Sequence, residues 1–413
     1  MTSVNLKDLE IIMCDFIENN DINNITFYDE NESAGFNDII FHIFKQFTDI
    51  KDINFEYKIK DQIDELILQH IKVVAPIYSE SQLLFLKDKL SYLEKIPQPE
   101  QRTPEWYEFR NNRLTASDVY HITSQNKSKI IDIVKKKCGV EKKYFPGAAI
   151  LHGVKFEPVA TKIYELREKV IITEFGCLPH SSIPFFGASP DGICSYESEN
   201  KNYVGRMLEI KCPKSRPITG IIPPVYFGQV QGQLEVCDLE YCDFLECELR
   251  EYDTKHQFFD DTHVSNNLLR ENGNEKGVII EAYDTKDKKN MYYYNYDNFE
   301  SIDAFEKWED GVVDTILENS DLEYNKTTFW KLNKYNVVLV KRDKEWFTNN
   351  YSKISGFWDM VIFGRENETY LKDLEKIEEQ INSKIQKYET NDDFNFLGDE
   401  QNEVKLSKQK KIF

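Results

Sequence analysis

The sequence has no uninterrupted apolar run that approaches the ~20 residues needed for a membrane-spanning helix, and it contains no Cys-x-x-Cys pair. Its N-terminal stretch has acidic residues inside the apolar part and no basic leader, which is unlike a signal peptide. We therefore expect a soluble, intracellular protein without a membrane partner. The eight cysteines are expected to be reduced, because a chain of 413 residues needs no disulfide staples.

The net charge of −20 argues against DNA binding if it is taken as a single value. The charge is uneven, however: residues 1–100 contain no arginine and an excess of acids, whereas residues 101–150 contain an excess of basic residues. Screening limits charge effects to about 8–10 Å in physiological salt, so a positive groove in an acidic body is compatible with the sequence. The Lys-rich segment 127–143 is the candidate for it, although a solvated helix face has the same composition.

Composition and hydrophobic periodicity divide the chain into three regions. Residues 1–97 alternate acidic stretches with apolar runs of helical period, and they predict a helical accessory region that ends at a Pro-bearing segment. Residues 98–365 predict the main domain, with mixed helices and strands. Residues 366–413 are charged and rich in Asn, Gln and Lys, which predicts a polar helix that gives way to a disordered tail.

Within the main domain, the first half predicts helices and the middle predicts short strands. A helix is also expected over 225–236, a strand pair over 277–296 and a further helix over 299–318. The remaining expected helices are 105–113, 117–124 and 153–169, and the remaining expected strands are 171–178, 183–189, 204–212, 241–249 and 336–343.

A turn and the strand that follows it carry the acidic residues of a candidate site. The letters SPDG around Asp191 predict a turn, and LEIK around Glu209 predicts a strand. Glu209 and Lys211 are two residues apart, so both side chains point to the same face. Two carboxylates and a backbone carbonyl, here that of Ile210, suit a hard divalent cation that keeps several waters. With the Lys211 ammonium alongside to orient or deprotonate a water, this set predicts metal-assisted phosphodiester hydrolysis.

Two further residues could complete the acidic site. Glu157 lies near the start of the helix expected over 153–169 and could supply another metal carboxylate, although an acid at a helix start is also favoured by the helix dipole alone. Gln229 follows on the next helix, where its amide could hold the attacking water or a phosphate. A solvent-facing glutamine would look the same in the sequence.

Two other residues could bind phosphate. The planar guanidinium of Arg110 can clamp a phosphate, against the alternative of a surface ion pair. Ser117 stands where a helix is expected to begin, so free backbone N–H groups there suit an anion. Thr115 and Asp118 could instead form a simple capping box at this position.

The order and wording of these motifs, from residue 105 to 236, resemble the YqaJ-type viral recombinase nucleases, the group that includes bacteriophage lambda exonuclease. A weaker resemblance continues in VVLVKRDKEWF and GFWDMV. The segments that carry the main resemblance are EWYEFRNNRLTASD, HGVKFEPVATKIYE, FFGASPDGI, LEIKCP and YFGQVQGQLEV.

The resemblance implies an α/β (α+β) class with a restriction-endonuclease-like fold, in which a mixed central sheet is flanked by helices. Here a helical N-terminal extension would be added to it. By the same resemblance, Asp191 and Glu209 would bind Mg²⁺ or Mn²⁺ together with Glu157 and the carbonyl of Ile210, and Lys211 would serve the water. Gln229 would be an active-site glutamine. The phosphate of a DNA end would be held by Arg110, Ser117 and Arg113.

The activity implied is digestion of duplex DNA from its ends, in recombination, repair or replication. The implied partners are double-stranded DNA ends, a single-strand annealing protein and further copies of the chain in a ring. An Asn/Ile/Lys-rich composition hints at a large DNA virus, which would place the protein in the cytoplasm or nucleus of its host.

Three alternatives to an exonuclease stay open from the residues alone. An endonuclease of the same fold would use the same carboxylates. A catalytically idle DNA-binding or assembly protein would keep the scaffold without cleavage. A Cas4-like nuclease with an iron–sulfur cluster is disfavoured, because the cysteines near the motifs do not have the spacing of four cluster ligands.

Overall fold

The computed structural model describes residues 78–99, 101, 103–140, 147–264, 266, 268–296 and 301–389. Most of the helical region predicted over 1–97, and the disordered end predicted for the tail, lie outside the described residues. Among the residues described, no helix combines the length and the apolar character required to cross a bilayer.

A seven-stranded mixed sheet forms the centre of the fold, with strand order β2-β5-β6-β7-β10-β8-β9. Only β6 and β7 run parallel to each other within it, and every other neighbouring pair is antiparallel. A smaller sheet has the order β1-β4-β3. The strands are β1 (Leu114–Thr115), β2 (Ile172–Thr173), β3 (Leu178–Pro179), β4 (Phe186–Ala188), β5 (Gly192–Cys194), β6 (Met207–Lys211), β7 (Tyr241–Glu251), β8 (Lys276–Asp284), β9 (Lys289–Asn295) and β10 (Leu322–Lys341).

Ten α-helices accompany these strands within the described residues. They are α1 (Glu80–Lys95), α2 (Pro104–Asn111), α3 (Ala116–Thr123), α4 (Lys127–Lys137), α5 (Ala148–Glu168), α6 (Pro224–Cys237), α7 (Lys255–Asp260), α8 (Ile302–Glu318), α9 (Lys344–Glu366) and α10 (Glu368–Glu389).

Alternate side chains of β7 enter two separate cores, as expected for a strand that is covered on both faces. Phe244 packs into the core that contains Val230 of α6. Leu245 packs into the core that contains Phe156 and Ile163 of α5. Helices therefore flank both faces of the sheet, and the expected class of a mixed central sheet flanked by helices is confirmed.

Several strands differ in length from the sequence expectation. The run expected as one strand over 171–178 is divided between the two sheets, as β2 and β3. Strand β10 has 20 residues and begins at Leu322, far before the expected start at 336. Its first half is rich in Lys, Thr, Asn and Glu, so hydrophobic alternation is weak there. This half is nevertheless a strand, because it pairs with β8.

The predicted position of Glu157 near a helix start is wrong. Helix α5 begins at Ala148 and continues through Pro158, which places Glu157 in its middle. A helix dipole acts within the first turn, so it does not account for an acid at this position.

The Lys-rich segment is also not a simple solvated face. Lys135 and Lys137 are buried, and the ammonium of Lys135 lies 2.8 Å from a carboxylate oxygen of Glu378 in helix α10. The ammonium of Lys137 donates to the carbonyl of Arg110 at 2.6 Å. The ammonium groups of Lys135 and Lys137 are thus bound by other parts of the protein and do not contribute to an exposed positive groove.

Candidate active site

A cleft of about 240 Å³ opens at the edge where the two sheets and helices α2, α3, α5 and α6 meet. Eight of the nine residues expected at the site line it. The lining residues are Gln101, Trp106, Arg110, Thr115, Ala116, Ser117, Glu157, Ser189, Asp191, Glu209, Ile210, Lys211, Gln229 and Gln233.

Asp191 stands at the turn between β4 and β5, and Glu209 lies on the next strand, β6. Because β5 and β6 are antiparallel with Gly192 opposite Leu208, the turn returns Asp191 to the middle of β6. The backbone N–H of Ile210 donates to the Asp191 carboxylate at 2.7 Å. The predicted convergence of the two acids is confirmed.

The Glu209 carboxylate is almost fully buried, with 1% of the residue exposed, and three side-chain donors satisfy it. Its Oε1 atom accepts from Lys211 Nζ at 2.5 Å and from Gln229 Nε2 at 2.6 Å. Its Oε2 atom accepts from Gln233 Nε2 at 2.7 Å. Glu209 and Lys211 thus share a face of β6 as expected, and Gln229 points into the cleft rather than to solvent.

Electrostatics in the cleft are dominated by the crowding of acids. Burial and the nearby carboxylates of Glu209 and Glu157 raise the pKa of Asp191 well above its usual range, against the opposing effects of Lys211 and the Ile210 N–H. Burial alone would lower the pKa of Lys211, but the Glu209 and Asp191 carboxylates outweigh it and raise the pKa. Lys211 is therefore held as a charged ammonium, while the charged form of Asp191 is disfavoured and would be stabilised by a cation.

Helix α6 comes close to helix α3 because glycines face the contact. A Cβ atom at Gly228 would lie 3.1 Å from Tyr120 Cβ, and one at Gly232 would lie 3.1 Å from Ala116 Cβ. Gln229 and Gln233 each follow one of these glycines, and they are one helical turn apart. The close approach therefore brings both amides to the side of the cleft where α3 begins.

Arg110 and Ser117 line the same cleft as the acids. Arg110 extends from α2, with its guanidinium 4.4 Å from the Trp106 ring and 3.0 Å from the Ser189 hydroxyl. Ser117 is the second residue of α3, in the first turn, whose backbone N–H groups have no partner within the helix itself. The N-cap Thr115 makes no side-chain hydrogen bond to the helix backbone, so the alternative of a capping box is wrong.

Arg113 does not line the cleft. Its guanidinium lies 3.6 Å from the Phe109 ring centre and donates to the Phe109 carbonyl at 3.1 Å. Burial lowers the pKa of Arg113, as it would for a cation held inside the protein. The Arg113 guanidinium therefore contacts Phe109 and does not point into the cleft.

The sequence interpretation overlooked Gln233 and Tyr226. Gln233 is four residues after Gln229 and donates to the same carboxylate, so the helical spacing of the two glutamines was an available signal. The Lys211 ammonium lies 4.7 Å from the centre of the Tyr226 ring. Nothing in the sequence pattern distinguishes this tyrosine from the other 22 in the chain.

The donor set fits a hard divalent cation. The three acids and Ile210 offer oxygen atoms, which such ions prefer, and the repulsion that raises the pKa of Asp191 is the kind that a cation relieves. Among the residues described, no group of three or more His, Cys, Asp or Glu side chains is arranged to hold a metal by itself. An ion here would therefore use few carboxylates and keep waters, as Mg²⁺ commonly does.

Residues 105–240 match the YqaJ-like viral recombinase domain, as the motifs of this segment predicted. The chain is also 32% identical, over 361 residues, to protein R354 of Acanthamoeba polyphaga mimivirus. That similarity covers 80% of this chain and 65% of the relative, so the chain spans less than two thirds of the relative's length.

Two solved structures show a weaker likeness. One is an alkaline exonuclease, LHK-Exo, from Laribacter hongkongensis, at 19% identity and a TM-score of 0.34, which covers 69% of this chain and 100% of that one. The other is a phage-related exonuclease from Haemophilus somnus 129PT, at 10% identity and a TM-score of 0.30, which covers 66% of this chain and 96% of that one.

Proposed function

We propose that the protein is a magnesium-dependent deoxyribonuclease that digests duplex DNA from its ends. The observation that carries this proposal is the convergence of Asp191, Glu209 and Lys211 in a cleft that Arg110 and Ser117 also line. The match of residues 105–240 to the YqaJ-like viral recombinase domain supports it.

The cleft holds two sets of groups, one suited to bind a terminal phosphate and one suited to hold a cation. Arg110 offers a planar pair of N–H donors that matches phosphate geometry, and the start of α3 at Ser117 offers backbone N–H groups to an anion. These groups would hold the phosphate of a DNA end. The next phosphodiester would then lie toward the acids, which is the geometry expected of an enzyme that begins at ends.

Asp191 and Glu209, with Glu157 and the carbonyl of Ile210, would hold Mg²⁺, and Mn²⁺ should also support activity. When bound, such an ion supplies charge stabilisation to the phosphate and its leaving oxygen. The Lys211 ammonium would orient the attacking water and donate to a phosphate oxygen. Gln229, already a donor to Glu209, would keep that carboxylate in place during the reaction.

The proposed reaction is hydrolysis of a phosphodiester. The water oxygen forms a bond to phosphorus, and the bond between phosphorus and the sugar oxygen breaks. One water proton goes to solvent, and the leaving oxygen takes a proton to become a hydroxyl. The products are a phosphate monoester and a shortened strand, and no oxidant or second substrate is consumed.

Cleavage of matched DNA substrates tests the proposal. Purified protein with Mg²⁺ should degrade linear duplex from its ends and leave covalently closed circles intact. Lys211→Met should lower the rate by about 10³-fold or more, in line with the loss of transition-state charge stabilisation. Lys214→Met, at an exposed lysine three residues later, is the matched control and should retain the wild-type rate.

Cutting of closed circles would show an endonuclease of the same fold. Equal behaviour of wild type and Lys211→Met, with no cleavage by either, would show a DNA-binding or assembly protein instead. Digestion from an end leaves a single strand, so an annealing protein that accepts this strand is the proposed partner. A homo-oligomeric ring around duplex DNA is the proposed assembly, which light scattering of the purified protein would test.

A further inference from the structure

Two buried glutamines on helix α6 have different surroundings although they are two residues apart. Gln231 and Gln233 are each 1% exposed. Gln231 donates to the Lys341 carbonyl at 2.8 Å and accepts from the Asp343 N–H at 2.7 Å. Both of its contacts are with the end of β10 and the start of α9, away from the cleft.

Gln233 instead contacts two parts of the candidate active site. Its Nε2 atom donates to Glu209 Oε2 at 2.7 Å and to the Ser189 carbonyl at 3.3 Å. Ser189 is two residues before Asp191. A single amide therefore joins the strand that carries one acid to the turn that carries the other.

The orientation of this amide is fixed by charge. If the Gln233 side chain were flipped, its Oε1 atom would face the Glu209 carboxylate, and two acceptors would meet without a proton between them. In the observed orientation the buried Oε1 atom has no hydrogen-bond partner in the described part of the chain. The protein thus leaves one polar atom unsatisfied, a net cost, while the donor side of the amide serves Glu209.

We infer that Gln233 is a positioning residue, whose amide sets the orientation of the Glu209 carboxylate relative to the Asp191 turn. This inference rests on the proposed nuclease function. Gln229 and Lys211 both donate to the Oε1 atom of Glu209, so neither of them fixes the position of Oε2. Rotation of the carboxylate group is therefore restricted by the third donor. Gln233 supplies that third contact, to the Oε2 atom.

The test compares Gln233→Met with Gln231→Met, which removes a glutamine of equal burial from the same helix. We expect Gln233→Met to lower the single-turnover cleavage rate by about 10–100-fold, as for other residues that orient metal ligands. Its Kd for a duplex end should stay within about 3-fold of wild type. Gln231→Met should lose stability to a similar extent and keep its cleavage rate per folded molecule.

A second readout does not depend on cleavage. Mn²⁺ without DNA should raise the melting temperature of wild type, because an ion that binds only the folded state stabilises it. It should raise that of Gln231→Met equally and that of Gln233→Met less. Gln233→Asn keeps the amide but is one methylene too short to reach Glu209, so it should behave as Gln233→Met and serves in its place if the methionine variant does not fold.

Equal cleavage rates and equal Mn²⁺ stabilisation in the Gln233 variants and wild type would overturn the positioning role. So would parallel losses in the Gln231 and Gln233 variants, since those would reflect packing only. A wild type that cuts no DNA would instead overturn the nuclease proposal, and the Mn²⁺ measurement would still report on Gln233.

Discussion

The guanidinium of Arg110 donates to the Ser189 hydroxyl at 3.0 Å. This contact joins helix α2 to the turn that carries Asp191, across 79 residues of sequence. The candidate phosphate-binding group and the candidate metal-binding group are thus held at a fixed separation. If Arg110 binds the terminal phosphate of a DNA end, the acids lie at a fixed distance from that phosphate along the strand.

Arg110→Gln should reduce the preference for phosphorylated ends. The ratio of digestion rates on phosphorylated and dephosphorylated duplex should fall by about 10-fold, because one charge-assisted bidentate contact is lost. Arg113→Gln is the matched control, since that guanidinium lies against Phe109 outside the cleft. An equal fall of the ratio in both variants would contradict the assignment of Arg110.

Asp191→Asn and Glu209→Gln should both abolish cleavage, by about 10³-fold or more, but they should change stability in opposite directions. Asparagine removes the charge that burial and neighbouring acids disfavour, and it still accepts from the Ile210 N–H. Glutamine at 209 replaces one carboxylate oxygen with an N–H₂ group, which would face either the Gln233 donor or the Lys211 and Gln229 donors. Differential scanning calorimetry should show a higher melting temperature for the first variant and a lower one for the second. A lower melting temperature for Asp191→Asn would contradict the inference that burial and the neighbouring acids make a charged Asp191 destabilising.

Glu378→Gln should destabilise the fold by about 3 kcal/mol, because it leaves the Lys135 ammonium buried without its nearer carboxylate. The two side chains are 8% and 13% exposed. Glu368→Gln removes the exposed pair with Lys372 and should cost no more than about 0.5 kcal/mol. Urea unfolding of both variants measures the difference, and equal values would show that α10 is not anchored through Lys135.

Asp261→Asn should have a pH-dependent effect on stability. Partial burial disfavours the Asp261 carboxylate, but hydrogen bonds from Arg270, Tyr252 and the Glu271 N–H outweigh it and lower the pKa from 3.8 to about 2. A depressed pKa contributes stability above the unfolded value, and that contribution is lost as the pH falls toward the folded value. With a discount for solvent screening, the variant should therefore lose about 1–2 kcal/mol at pH 7 and about half of that at pH 3.

Chemical denaturation of Asp261→Asn at the two pH values checks this expectation. Asp260→Asn changes the adjacent exposed acid and should stay within about 0.5 kcal/mol of wild type at both. A cost for Asp261→Asn that does not change with pH would show that its hydrogen bonds act without the charge.

The sequence located most of the site because short-range geometry decides it. The alternation of β6 places Glu209 and Lys211 on one face, and the antiparallel return after the Asp191 turn brings the acids together. Arg113 shows the limit of the same reasoning: it stands in the right motif, but the Phe109 ring binds its guanidinium. Glu157 was found, while its position in the middle of α5 was not, because the helix start at Ala148 has no capping side chain.

By itself, the sequence determined the order of the motifs, the mixed class of the fold and the set of acids and bases that meet at the sheet edge, since these follow from local periodicity and turn chemistry. Only the tertiary structure decided which donors reach Glu209, that Lys135 faces Glu378 and that the first half of β10 is a strand. Those outcomes depend on contacts between residues far apart in the chain, whose partners no local pattern specifies.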